Sequence, residues 1–293
     1  MLFPRIGKFI IIFVALAFIV VGVRAYQLYR YVFDANVKTD YVLTIPDNAT
    51  YEDVTDKLTN DDVLINYKAF RWVSKKKEYP ANIKPGRYEI KKGMNTNQVV
   101  NMLRSGAQQP VDVTFNNVRF KEDLAGKVSN YIMADSLAIL RLFLDERQIH
   151  EWGFTSETYR TMFIPNTYEM YWTTTAEDFA KRMHTEYERF WTDERKKKAE
   201  AINLTPVEVS IVASIVQSET AKKDEMQRIA GLYINRLNRG ILLQADPTVK
   251  YAVGDFKLKR ILNSHLEIES PYNTYKFAGL PPGPITFPEV SSI

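Results

Sequence analysis

Apolar positions fall along this chain in changing rhythms. Residues 9–23, FIIIFVALAFIVVGV, form an uncharged, almost wholly apolar block between Lys8 and Arg24. That is short of the roughly 20 residues of an ideal membrane span. Snorkelling by Lys8 and Arg24 extends it. A cleaved signal peptide is the alternative. The small-residue tripeptide Ala15-Leu16-Ala17 lies inside the run rather than after it, which favours an uncleaved anchor over 9–25. Arg5 and Lys8 precede the block and Arg24 and Arg30 follow it, so charge asymmetry leaves its orientation open. Residues 26–40 read as a polar, aromatic-rich connector.

From Tyr41 the rhythm shortens. Residues 41–46 alternate as a strand, and Thr50-Tyr51-Glu52-Asp53 starts a helix carrying Val54 and Leu58. Residues 66–75 read as a second helix, 85–90 as a turn and strand, and 95–105 as a helix with Val99, Val100 and Leu103 on one side. Residues 41–108 thus form a small α+β module. A strand over 111–115 leads into the remainder, 110–293. Amphipathic helices are predicted over 121–132 and 136–144. Thr174-Thr175-Ala176-Glu177 matches a capping box and opens a helix whose Phe179, Met183, Tyr187 and Trp191 form a core stripe. Residues 193–200 are a solvated charged helix, and 224–238 a helix stopped by Gly240.

The best-specified element is a helix over 205–219. Thr205 is its N-cap, Pro206 its first residue, and Glu208 completes a capping box. The apolar stripe Ile211, Val212, Ile215, Val216 continues onto Glu219. Burial disfavours an ionised carboxylate, so a core-facing Glu219 has a raised pKa and suits a general acid. The alternative is a side chain turned to solvent or paired with Lys222, Lys223 or Arg228.

Composition is that of a globular protein, 45% hydrophobic and 25% charged, with a formal charge of +4. That balance suits an anionic surface and is too weak to indicate nucleic acid. No cysteine is present, which excludes disulfides and thiolate chemistry. The three histidines, His150, His184 and His265, show no ligand spacing, which argues against metal catalysis. No cofactor is indicated.

The run ASIVQSETA, followed by INRLNRG, LQADPTVKYA and SPYNTYKFAGLPPGPI, resembles the YceG/MltG family of endolytic murein transglycosylases. FIPNTYEMYW and the single anchor extend the resemblance over nearly the whole chain. It implies an α+β chain: a cytoplasmic tail over 1–8, a transmembrane helix, a LysM-like module over 41–108, and a mixed α/β, helix-rich catalytic domain over 110–293. Ile45-Pro46, Gly86, Tyr88, Ile90 and Met94 carry the LysM likeness; such modules bind N-acetylglucosamine-containing glycans, and a plain spacer is the alternative. The resemblance makes Glu219 the catalytic acid/base. Gln217 stands where many relatives carry a second Glu, and Asn166 where an Asp is usual. It also leads us to expect a C-terminally shortened family member.

The implied activity is cleavage of the MurNAc-β-1,4-GlcNAc bond of nascent strands to 1,6-anhydro ends, terminating glycan elongation at the inner membrane. Implied partners are peptidoglycan strands, the membrane, penicillin-binding proteins and the elongation machinery. Around the acid, Gln244, Asp246 and Thr248 are sugar-cleft candidates on a loop stiffened by Pro247. Asn235 and Arg236 project from the second helix, and Asn273 and Tyr275 sit on a Pro/Gly-rich wall. Tyr171 and Trp172 stack on sugar or fill core. A water-using muramidase employing Asp246 beside Glu219, and a non-catalytic glycan-binding scaffold, remain as alternatives.

Overall fold

The N-terminal apolar block folds as helix α1, Phe3–Phe33, in the computed structural model, which describes the backbone of residues 3–293 and side chains from Ile10 onward. The expected tail over 1–8 and the snorkelling of Lys8 lie outside the described side chains. Ile10–Phe33 is long and apolar enough to cross a membrane, with a mean hydropathy of 2.2 in its most apolar window. The connector expected over 26–40 is corrected: the helix runs on to Phe33. No Pro or Gly interrupts residues 24–33, and Arg24–Gln27, Gln27–Tyr31 and Arg30–Asp34 link successive turns.

The chain divides into two compact units, one of residues up to Pro110 with Tyr171–Thr173, the other of Val111–Met170 with Thr174–Ile293. In the first, strands β1 (Tyr41–Ile45) and β2 (Gly86–Ile90) pair antiparallel, with Leu43 opposite Tyr88 and Tyr41 opposite Ile90. Between them lie helices α2 (Tyr51–Asn60) and α3 (Tyr67–Lys76), and α4 (Thr96–Ser105) follows. The period of two turns Leu43, Ile45, Tyr88 and Ile90 to one face, where they bury against Leu58, Phe70, Val73, Val99, Val100 and Leu103. Side-chain caps from Thr50, Asn66 and Asn95 set the helix starts.

The second unit begins with a two-stranded sheet of β3 (Pro110–Phe115) and β4 (Asn166–Tyr171). The short helices α5 (Lys121–Val128), α6 (Ser136–Arg141) and α7 (Glu146–Glu151) lie between them. The first stops short of the expected Ile132. Just beyond Val128, Ser129 Oγ and Asn130 Nδ2 both donate to the Gly126 carbonyl, competing with the helix ladder. Helix α8 (Ala176–Phe190) is capped by Thr175 rather than Thr174. Its Phe179 and Met183 enter a core with Phe115, Tyr159, Phe163, Tyr168 and Phe287.

Helices α9 (Asp193–Glu200), α10 (Pro206–Glu219), α11 (Lys223–Asn238), α12 (Asp246–Val253) and α13 (Asn263–Leu266) complete the chain order. A second core in this unit gathers Val212, Ile215 and Val216 of α10 with Tyr233, Leu243, Ala245 and Ile285. The segment after α13 closes over α10: Ile285 N–H donates to Ser214 Oγ, and Phe287 N–H to the Val118 carbonyl.

That closure requires glycine at 283. A Cβ there would stand 2.3 Å from the backbone oxygen of Glu157. Gly283→Ala is therefore expected to destabilise the unit by roughly 1–3 kcal/mol, as overpacking does. At Gly231, inside α11, an added Cβ would meet nothing within 4 Å; Gly231→Ala is expected to add about 0.5–1 kcal/mol through helix propensity. Thermal unfolding of the two variants beside wild type measures both, with opposite signs.

Candidate active site

Helix α10 sets the position of the acid. The Thr205 hydroxyl accepts from Glu208 N–H at 3.3 Å, and Glu208 Oε2 accepts from Thr205 N–H at 2.7 Å, the reciprocal box read from the sequence. Residues 210–216 are then buried on every side. The two serines in this stretch turn their hydroxyls onto helix carbonyls, Ser210 to Pro206 and Ser214 to Ile211, so neither hydroxyl is orphaned. Burial ends at the last turn, where Ser218 and Glu219 are exposed. The expectation of a core-facing Glu219 is thus corrected. The stripe exists, but the helix runs out of core one turn before it reaches Glu219, which stands at the mouth of a cleft.

Two neighbouring elements complete the cleft. Helix α11 brings in Tyr233, itself only 5% exposed, whose hydroxyl donates to Glu219 Oε2 at 3.5 Å. Helix α12 opens with Asp246, which accepts a 2.6 Å hydrogen bond from the Tyr275 hydroxyl. Glu219 and Asp246 line one cavity of 440 Å³ with Ser218, Pro247, Lys250 and Ile285. A second cavity of 580 Å³ shares Arg119 and Ser218 with it and continues past Gln217 and Thr220.

The electrostatics of the cleft raise the pKa of Glu219. Although the residue is reached by solvent, the protein packed around its carboxyl raises its pKa above the usual carboxylate range, and the charge of Asp246 raises it further. The Tyr233 hydrogen bond and Lys250 oppose that rise without cancelling it. Glu219 is also the last residue of α10, at the negative end of the helix dipole, which works in the same direction. Desolvation, followed by the bond to Asp246, pushes the Tyr275 phenol up to about 12. Burial and the Glu219 charge push Tyr233 up as well, so both phenols remain donors at neutral pH.

The expected cleft residues separate into groups. Asp246 lines the cleft and Tyr275 reaches it through the hydrogen bond to Asp246, and only Leu243–Ala245 of LQADPTV are loop: Asp246 and Pro247 begin α12. Gln244 is exposed, at φ 51°, and its side-chain oxygen accepts from Arg236 at 3.3 Å. Arg236 also donates to the Leu242 and Leu243 carbonyls, so it holds the turn ahead of α12 rather than touching Glu219. Asn235 is exposed, two positions and about 200° round α11 from Tyr233, on the opposite face. Thr248 and Asn273 are fully buried. The Thr248 hydroxyl bonds the Ala245 carbonyl and Thr274 Oγ1, and the Asn273 amide bonds the Leu266 and Ile268 carbonyls. Neither is among the residues that line the cavity. Lys222, a suggested partner for Glu219, pairs with Glu225 instead.

Sequence reasoning missed Tyr233, Lys250 and Arg119. For Tyr233 a signal existed: it lies on the Met226, Ile229, Ala230, Tyr233, Leu237 stripe that packs on α10. Gln217 also has a use. Its Oε1 accepts from Glu289 N–H at 2.7 Å and Ser292 Oγ at 3.1 Å, tying the segment after Phe287 to the helix that carries the acid.

With this geometry, comparison with known proteins is specific. An endolytic murein transglycosylase of Bacillus subtilis is 29% identical over 274 residues, covering 87% of this chain and 74% of that protein. One of Streptococcus pneumoniae is 27% identical over 306 residues, covering 90% of this chain, which spans 54% of the longer relative. The crystal structure of a yceG-like protein of Listeria monocytogenes superposes with a TM-score of 0.54 at 25% identity, over 86% of this chain and 88% of the other. The YceG-like family profile matches residues 43–293, which include every element of the cleft, and the chain therefore belongs to the YceG-like family.

Proposed function

We propose that this chain is a membrane-anchored lytic transglycosylase that cuts peptidoglycan glycan strands internally, with Glu219 as its acid/base. The observation that carries the reading is a carboxyl held above its usual pKa beside Asp246 in an open cleft, in a family whose curated relatives are named endolytic murein transglycosylases.

In the proposed reaction protonated Glu219 gives its proton to the glycosidic O4 as the C1–O4 bond of N-acetylmuramic acid breaks. The ionised Glu219 then takes the proton of that sugar's own O6 as the C1–O6 bond forms. The result is a 1,6-anhydro end, with no water consumed and Glu219 returned to its starting state. Asp246 raises the acid and opposes the positive charge that grows at C1. Tyr233 and Tyr275 fix the two carboxyl groups.

The apolar helix α1 supports anchoring in the cytoplasmic membrane, and the family resemblance supports a catalytic unit on the outer side that acts on nascent strands and limits their length. Family resemblance supports association with penicillin-binding proteins and elongation enzymes, and glycan binding by the LysM-like module. A hydrolytic route is a second reading, and the presence of Asp246 in the same cleft is what favours it.

Glu219→Gln is expected to lower turnover of uncrosslinked strands by about 10²–10⁴-fold. Mass spectrometry of wild-type products is expected to show 1,6-anhydro ends; reducing ends would select the hydrolytic route, and no cleavage a scaffold. Asp246→Asn removes a charge that raises Glu219. Activity that requires protonated Glu219 falls as pH rises through its pKa, so the alkaline limb of the rate profile is expected to move to lower pH. Turnover is also expected to fall at every pH on either route, because Asp246 opposes the charge at C1, so the product ends rather than this variant separate transglycosylation from hydrolysis. Stability gives an independent reading. Because the folded-state pKa of Glu219 lies above its unfolded value, its ionisation costs stability: nothing is lost below the unfolded pKa near ~4.3, and the cost grows as pH rises through the folded pKa. Glu219→Gln is therefore expected to raise the Tm at pH 8 and leave it close to wild type at pH 4.

A further inference from the structure

The cleft holds more positive charge than its acid/base pair uses. Arg119, Lys250, Lys259 and Arg260 line the same cavity as Glu219 and Asp246. Of these cations, Lys250 is the one whose charge lowers the Glu219 pKa. Arg119, Lys259 and Arg260 are exposed, and among the described residues none of them pairs with a carboxylate within 4 Å, whereas Arg182, Lys198 and Lys276 elsewhere all have such partners. Their charges are therefore left free of any ion pair with the fold. Arg119 is nevertheless held in place, its guanidinium stacked over the Phe256 ring at 4.5 Å, and Phe256 is packed edge-on by Phe120 and Tyr251. It is also the residue, with Ser218, at which the two cavities meet. A stacked guanidinium presents its remaining N–H groups as a planar fork that fits a carboxylate.

We propose that Arg119, Lys259 and Arg260 form a carboxylate-binding rim that selects glycan strands by the acidic substituents they carry next to the bond being cut. Neutral N-acetylated sugars offer such a rim nothing. A muramic acid residue offers its lactyl carboxylate when the peptide is absent, or the carboxylates of the attached peptide when it is present. Keeping these cations out of contact with Glu219 lets the site hold an anion without stripping the acid of its proton. The inference rests on the proposed glycan substrate, and concerns which strands are bound rather than how they are cut.

The test uses binding, so that it does not depend on turnover. Full-length Glu219→Gln protein in detergent is titrated calorimetrically with three preparations of the same strands: peptide-bearing, peptide-bearing with every carboxyl converted to a neutral amide, and stripped of peptide with the lactyl carboxylate kept. Amidation is expected to weaken binding about tenfold, the sum of three partly screened contacts. The gap is expected to close at high salt, since the Debye length falls from about 10 Å at 0.1 M to about 3 Å at 1 M. Stripped strands binding like the native ones assign the lactyl group; stripped strands binding like the amidated ones assign the peptide.

Adding Lys259→Gln and Arg260→Gln, both exposed, is expected to remove most of the preference, and further adding Arg119→Gln the rest. Equal binding of native and amidated strands, or a tenfold preference that survives all three substitutions in a folded protein, overturns the proposal. Cleavage assays on the same substitutions with Glu219 intact read the reaction separately: kcat is expected to hold while KM rises about tenfold for native strands. A protein that binds selectively but cuts nothing would reject the transglycosylase reading and leave the rim standing.

Discussion

Everything in the catalytic unit depends on a helix that is surrounded by protein along two turns and then released into a cleft at its last residue. Residues 210–216 of α10 are buried on all sides, so the helix cannot rotate or slide without breaking the packing of Val212, Ile215 and Val216 on α11 and on Ile285. The Thr205–Glu208 box fixes where it starts. Fourteen residues later Glu219 stands where that start and that packing put it. A catalytic carboxyl must be held to a fraction of an ångström, and an element locked at one end and along its body provides this better than a loop does.

The same arrangement produces the chemistry of the two acids. Glu219 ends one helix and Asp246 begins another, so the two carboxyl groups meet opposite ends of two helix dipoles. Each takes a hydrogen bond from a tyrosine that arrives from a different element, Tyr233 from α11 and Tyr275 from the segment after α13. Two groups of one chemical type are thereby given unlike surroundings. Among the buried polar residues nearby, Thr248 of α12 and Thr274 hydrogen-bond to each other, joining α12 to the segment after α13, and Asn273 donates to the Leu266 and Ile268 carbonyls.

Local signals are legible in the sequence; consequences of distant packing are not. The start of α10, the core stripe of α8 and the alternation of β1 and β2 all depend on neighbours within a few residues, and all appear in the structure. Glu219 is found by its place on a helix, but its exposure is not, because periodicity gives a face and not the point at which the core ends. Asp246 reads as a loop residue because Pro247 follows it; proline in the first turn of a helix gives the same dipeptide. Thr248 and Asn273 look like sugar ligands because their chemistry suits sugars. Their partners, Thr274 for Thr248 and the Leu266 and Ile268 carbonyls for Asn273, are visible only after the chain has folded back. Gln217 looks like a harmless departure until its oxygen is seen receiving Glu289 and Ser292.

A second carboxylate beside the acid does not by itself call for water. The O6 hydroxyl belongs to the sugar whose C1 is being released, and well-oriented intramolecular reactions reach effective molarities on the order of 10⁵–10⁸ M. A ring held with O6 toward Glu219 therefore outcompetes bulk water without a seal over the cleft. What the protein must supply is a proton to the leaving oxygen, a base for O6 an instant later, and negative charge near C1 between the two. In the proposed mechanism Glu219 supplies the first two in turn, and Asp246, hydrogen-bonded by Tyr275, supplies the third without forming a bond. The pair then serves transglycosylation as naturally as hydrolysis, and the aim of the sugar ring, more than the count of carboxylates, decides between them.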